Sequence, residues 1–174
     1  MSTIEIRPVQ ISAENLDMLT RMLVDVVALG GSVSFMHPLA NKDAAEFWEK
    51  WLQAAARDES VVLGAFDGPV LVSTVTLLLD MAPNQPHRAE IAKMMTLAEY
   101  RGRGIAKRLM VEAERIARGR ARMLLVLDTA ADEGAAGLYE KLGFTLAGEI
   151  PDFALKPHGG LSGTLIYWKR LTSI

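Results

Sequence analysis

The sequence predicts one α/β domain, an α+β arrangement with a mixed central sheet of about seven strands and four helices. Three observations carry this. Apolar runs of strand length are interspersed with segments whose apolar residues recur at helical spacing. Residues 89–128 read as strand, helix, strand, which places the two strands parallel with the helix on one face. The chain has 174 residues, 50% of them apolar, enough for a single domain over 1–174 with its own core.

Thr3 to Val9 reads as a first strand. Ser12 is an N-cap, and Leu16, Leu19, Leu23, Val26 and Val27 share one helical face that Gly30-Gly31 ends. After a loop at Ser32 to Pro38, a second helix fits Asp43 to Arg57, with Ala44, Trp48, Trp51, Leu52 and Ala55 on one side. Val61 to Phe66 and Val70 to Leu79 form a hairpin about Asp67-Gly68-Pro69. Ala89 to Leu97 is a further strand. Gly104 to Arg118 is the clearest helix, its apolar stripe running Ile105, Leu109, Met110, Ala113 and Ile116. Met123 to Leu127 is a continuous apolar run, as in a buried parallel strand. A helix over Glu133 to Leu142, ended by Gly143, precedes two final strands, Phe144 to Ile150 and Thr164 to Leu171.

Composition excludes several classes. With 19 basic and 21 acidic residues, a nucleic-acid partner is not expected. Cysteine is absent, which removes disulfides, thiol nucleophiles and cysteine zinc sites. The three histidines, His37, His87 and His158, are scattered, so no metal is expected. No apolar run reaches membrane-spanning length and no basic-then-apolar leader opens the chain, so the expectation is a soluble, cytoplasmic protein with no membrane partner.

The connection Arg101-Gly102-Arg103-Gly104-Ile105-Ala106 joins a strand to the clearest helix. Glycines and a small alanine let backbone approach a ligand, a helix start offers unpartnered N–H groups, and two arginines add positive charge. This suits a phosphate group, although the same residues also suit a tight turn with solvated arginines. The nucleotide-binding P-loop spacing is absent, and Lys107 stands where a dinucleotide fingerprint needs its third glycine.

Arg101-x-x-Gly104-x-Ala106, after a strand and opening a helix, resembles the Arg/Gln-x-x-Gly-x-Gly/Ala signature of the GNAT superfamily of N-acetyltransferases. Ala135, Leu138-Tyr139 and Lys141-Leu142-Gly143-Phe144 are similar to its second signature, and the element order is similar to the GNAT fold over nearly the whole chain. The resemblance implies acetyl-CoA as co-substrate. Its diphosphate would lie on Arg101, Gly102, Arg103, Gly104, Ile105 and Ala106. Its pantetheine arm would add like a strand to Met95, Thr96 and Leu97, where the next strand splays away, and a backbone N–H near Met95 or Thr96 would polarise the thioester. Asp132 stands where the family commonly has asparagine.

Tyr139 occupies the family's general-acid position; as a residue alone it also reads as a half-buried helix side chain. Glu90, near the start of its strand, and Asp128, at the carboxyl end of the adjacent one, are candidates for the base that deprotonates an acceptor ammonium. Both also suit charge pairing with a cationic substrate; Glu90 equally suits a solvated strand start, and Asp128 a turn or a cap for the next helix. The resemblance points to the loop between the first two helices as one acceptor wall, hence Ser34, Phe35 and His37, with the segment near Phe153 and Tyr167 as the opposite wall; a loop phenylalanine is equally suited to packing. His87-Arg88-Ala89-Glu90, Leu127-Asp128-Thr129 and Glu149 to Ala154 look similar to the tabtoxin-resistance type of the family, whose acceptor is small and amino-acid-like.

The expected activity is therefore direct acetyl transfer from acetyl-CoA to the primary amine of a small, amino-acid-like or antibiotic-like acceptor. Peptide or protein N-acetylation, and a non-catalytic CoA-binding regulatory role, are the alternatives. A homodimer is a further expectation from the family, with the apolar strand Thr164 to Trp168 as an interface edge or as core.

Overall fold

The computed structural model describes residues 3–172; the four terminal positions of the 1–174 domain lie outside the described residues. The elements follow the predicted order: β1 (Glu5–Pro8), α1 (Ala13–Ala28), α2 (Asn41–Ala56), β2 (Ser60–Asp67), β3 (Val70–Leu78), β4 (Arg88–Thr96), α3 (Ile105–Gly119), β5 (Leu124–Ala130), α4 (Ala136–Lys141), β6 (Thr145–Leu155) and β7 (Leu161–Arg170). A single 3-10 turn, Ala98–Tyr100, sits between β4 and α3. The seven strands form one mixed sheet in the order β1-β2-β3-β4-β5-β7-β6. Among the described residues, only β4 and β5 pair in parallel.

Strand alternation divides the core between the two sheet faces. Val62 and Phe66 of β2 point to one face, where Leu19, Leu23 and Val27 of α1 and Trp48 and Leu52 of α2 cover them. Leu63 and Ala65 point to the other, against Ile105, Leu109, Met110 and Ala113 of α3. Ser12 caps α1 by accepting the Asn15 N–H at 3.0 Å.

Two elements depart from expectation. The helix predicted over Glu133 to Leu142 shrinks to α4, because Gly134 has φ +71, a conformation that breaks the preceding turn. β6 runs past the predicted end at Ile150 as far as Leu155. Its register with β7 shifts between Ile150 and Ala154, and that irregularity absorbs Pro151 on an edge strand, where a missing N–H is tolerated. The strand Thr164 to Trp168 is not a sheet edge: β7 is hydrogen-bonded to β5 on one side and β6 on the other, and its Thr164 and Tyr167 are buried.

Candidate functional site

Parallel pairing between β4 and β5 lasts three residues, Arg88↔Leu124, Ala89↔Leu125 and Glu90↔Val126. Beyond it β4 continues to Thr96 and β5 to Ala130 without pairing to each other. The cause lies on β4. Its register with β3 shifts between Thr74↔Met95 and Thr76↔Ala92, so Lys93 and Met94 together face Val75 alone. Lys93 has φ +51, in the left-handed region. An extra residue of this kind bends a strand and increases its twist, turning the end of β4 away from β5. Ser73 fixes that end: its hydroxyl donates to Met95 O at 2.7 Å and lies 2.7 Å from Thr96 Oγ1.

The fork holds a cavity of about 330 Å³. Its walls come from Lys93, Met95 and Thr96 of β4, Asp128 of β5, Tyr139 of α4, and the α1–α2 connection at Ser32–Ser34. Ser32 N–H donates to Glu133 Oε1 at 2.6 Å, tying that connection to the segment after β5.

A second cavity of about 250 Å³ shares Thr96, Arg101, Ala106 and Leu138 with the first and extends over Gly102, Gly104, Ile105 and Lys107. Gly102 and Gly104 have φ +74 and +73. A Cβ built on either meets no protein atom within 4 Å, so the space over this loop is open. α3 has no side-chain N-cap and no acidic residue in its first turn. The N–H groups of Gly102 through Lys107 donate to no acceptor among the described residues. Unpartnered N–H groups at the positive end of a 15-residue helix, beside Arg101 and Lys107, can hold a diphosphate.

The other residues expected to bind cofactor divide. Met95 and Thr96 line the fork, Ile105 and Ala106 the loop cavity, and Arg101 both; its Nε donates to Thr96 O at 3.2 Å. Leu97 and Arg103 line neither. Leu97 packs towards the α1–α2 core and donates its N–H to Val72 O at 3.0 Å. Arg103 lies over the Tyr100 ring, 4.8 Å from its centroid, and donates to Glu99 O at 2.8 Å.

Tyr139 is 5% exposed, with its ring 6.1 Å from Phe144 and 6.0 Å from Tyr167. Its hydroxyl makes no hydrogen bond to a described residue. Burial, reinforced by the negative charge of Asp128, pushes its pKa up to about 12. Such a phenol stays protonated throughout the physiological range and can donate a proton.

Asp128 lines the fork, and its Oδ2 accepts from Thr164 Oγ1 at 3.1 Å. Glu90 does not line it and forms an ion pair with Arg88 at 3.2 Å. Phe35 and His37 also lie outside the lining. Phe35 packs edge-on against Phe47 at 5.1 Å. His37 is exposed, tilts against His158 at 4.5 Å and donates its N–H to Pro157 O at 2.9 Å. Asp132 is held by Lys156 at 2.5 Å and by the Ser162 hydroxyl at 2.8 Å, which keep its carboxyl below the usual range.

Three cavity residues escaped the sequence reading. Lys107 carries the positive charge that Arg103 turns away. Glu133 reaches across to the α1–α2 connection. Lys93 points its Nζ to Ser34 Oγ at 2.9 Å, and burial pushes its pKa down against the opposing pull of Asp128 and Glu90. A single lysine interrupting the apolar run Ile91 to Met95 was the available signal for the last.

Residues 32–144, more than half of the chain, match the Acetyltransferase (GNAT) family. The ribosomal-protein-alanine N-acetyltransferase of Brucella melitensis superposes with a TM-score of 0.81 at 24% identity, over 96% of this chain and 99% of that one. yncA of Salmonella typhimurium, solved with its cofactor acetyl-CoA, gives 0.82 at 16%, over 99% and 96%. A phosphinothricin acetyltransferase of Sinorhizobium meliloti in complex with AcCoA gives 0.81 at 19%, over 98% and 89%. At these identities the likenesses establish the shared fold.

Proposed function

The chain belongs to the acetyltransferase (GNAT) family and is an acetyl-CoA-dependent N-acetyltransferase, and we propose that its acceptor is the primary amine of a small, amino-acid-like molecule. The observation that carries the reading is the walled cavity at the β4–β5 fork. Tyr139, Asp128 and Lys93 converge on it, and the Ser32–Glu133 hydrogen bond spans its rim. A cleft of about 330 Å³, walled by β4, β5, α4 and the α1–α2 connection, suits a small molecule better than an extended peptide. The sequence likeness to the tabtoxin-resistance type supports the same class.

The residues present fit acetyl-CoA, which supplies an acetyl group activated as a thioester. The N–H groups of residues 102–107, with Arg101 and Lys107, hold its diphosphate. The stretch of β4 released from β5 after Glu90 takes its amide-bearing arm by strand-like pairing. Asp128, directly or through water, accepts the proton that an acceptor ammonium must lose before it attacks. As the new N–C bond forms and the C–S bond breaks, the Tyr139 hydroxyl supplies a proton to the departing sulfur, and the second proton that the nitrogen sheds in becoming an amide returns to the Tyr139 oxygen. Cysteine is absent, so no cysteinyl intermediate intervenes. Glu90 supports the site's negative field from outside the cavity, and Phe35 and His37 hold the α1–α2 connection in place.

A thiol-release assay over amino acids, simple amines and peptides tests the reading. Turnover with small amines and none with peptides is expected. Turnover confined to peptides would replace the acceptor class, and acetyl-CoA binding without turnover on any amine would favour a regulatory role.

A further inference from the structure

The fork contains a cation that the transfer chemistry does not employ. Lys93 sits at the β4 irregularity in a left-handed conformation, and its hydrogen-bond partner Ser34 is also left-handed, at φ +77. Two non-glycine residues in that region cost free energy, and such strain collects where a site demands a particular geometry. The two side chains meet at the cavity wall, 2.9 Å apart. The ammonium lies 5.8 and 5.7 Å from the Phe47 and Trp51 ring centroids, on a largely apolar backing. Ser34 Oγ is its one hydrogen-bond partner among the described residues, and no carboxylate lies within ion-pair distance. Asp128 and Glu90 influence it only from further away, while Glu133 and Arg101 complete the charged groups of the cavity. A half-buried ammonium with donors to spare, facing the acceptor side of the fork, is complementary to an anion on the ligand.

We propose that Lys93, positioned by Ser34, binds a carboxylate carried by the acceptor, so that the enzyme selects amines bearing an acid group over otherwise identical amines that lack one. This rests on the small-amine reading above. Asp128 then faces the amine end and Lys93 the acid end of one zwitterionic substrate. The aromatic rings behind Lys93 keep its charge from being dispersed into solvent.

The test compares matched acceptors: α-, β- and ω-amino acids, their carboxamides and the decarboxylated amines, each with the wild-type enzyme, Lys93→Met and Lys93→Arg. The wild type is expected to favour the acid over its amide roughly 10- to 100-fold in kcat/KM, the scale of a charge-assisted hydrogen bond. Lys93→Met should abolish the preference by raising KM for the acid at least ~10-fold more than KM for the matched amide, which serves as the internal reference. Lys93→Arg should restore part of it. Calorimetry with acetyl-CoA alone should show that each variant still binds its co-substrate, so that the acid-to-amide ratio reads the acceptor. Equal use of acid and amide by the wild type, or an equal loss on both in Lys93→Met, overturns the proposal and leaves the small-amine reading intact. A wild-type enzyme that binds acetyl-CoA yet acetylates no member of the set removes that reading and this one together.

Discussion

Glu90 of β4 and Val126 of β5 are the last residues that join these two parallel strands. Downstream of this pair, the β5-facing edge of β4 has no strand partner among the described residues. Amide hydrogen exchange should find the β5-facing N–H groups of residues 91–96 weakly protected in the free protein and markedly slowed by acetyl-CoA. Those of β2 and β3 should not respond. Equal protection with and without acetyl-CoA would show that this edge is not where the arm binds.

Gly104 has a left-handed φ and open space above it. Gly104→Val forces a β-branched side chain into both, with backbone strain of about 1–2 kcal/mol. Acetyl-CoA affinity measured by calorimetry should fall at least ~10-fold, and circular dichroism should still report a folded protein. Normal affinity would mean that the diphosphate is held elsewhere.

Tyr139→Phe removes a hydroxyl that has no protein hydrogen-bond partner, so thermal stability should change little. Turnover should fall by about 10²–10⁴, the usual worth of a general acid, with acetyl-CoA affinity within about threefold of the wild type. The pH profile carries a sign. A phenol held at about 12 remains protonated below that value. The rate should rise as the acceptor amine loses its proton, then show no alkaline decline due to Tyr139 below about pH 11. A wild-type decline centred near pH 9–10 that vanishes in Tyr139→Phe would contradict the assigned pKa.

Glu114 of α3 and Lys169 of β7 tie α3 and the end of α4 to the sheet. Lys169 Nζ donates to Glu114 Oε1 at 2.5 Å and to Leu142 O, just beyond the end of α4, at 2.6 Å. Glu114→Ala removes the carboxylate shared by Lys169 and Arg118, leaves the Lys169 ammonium with Leu142 O as its one hydrogen-bond partner among the described residues, and should cost about 3 kcal/mol, lowering Tm by about 6–12 °C. Adding Lys169→Met should recover a large part of that loss. Additive losses in the double variant would show that the two side chains are not coupled.

Features encoded by neighbouring residues were legible in the sequence, and features made by distant ones were not. The 101–106 loop announces itself because glycines, arginines and a helix start are adjacent in the chain. Tyr139 lies within a local pattern of the same kind. The order of elements followed from periodicity throughout, with boundaries displaced by a few residues. Lys93 acquires its position only through the register shift against β3. Glu133 was read as the start of a helix, whereas its carboxylate reaches Ser32, 101 residues away in the chain. Phe35 and His37 lie on the expected loop, yet Phe47 and His158 determine where their rings point. β6 outran its predicted end because an edge strand can bulge around Pro151.

If backbone nitrogens at the start of α3 hold the diphosphate of acetyl-CoA while the opened strand presents its thioester to Tyr139, electron density of the crystalline complex will show both. Diphosphate oxygens are expected within hydrogen-bond distance of N–H groups between Gly102 and Lys107, and the sulfur in the cavity beside Tyr139. A diphosphate bound away from that turn, or a sulfur outside the fork, would overturn the assignment of this site.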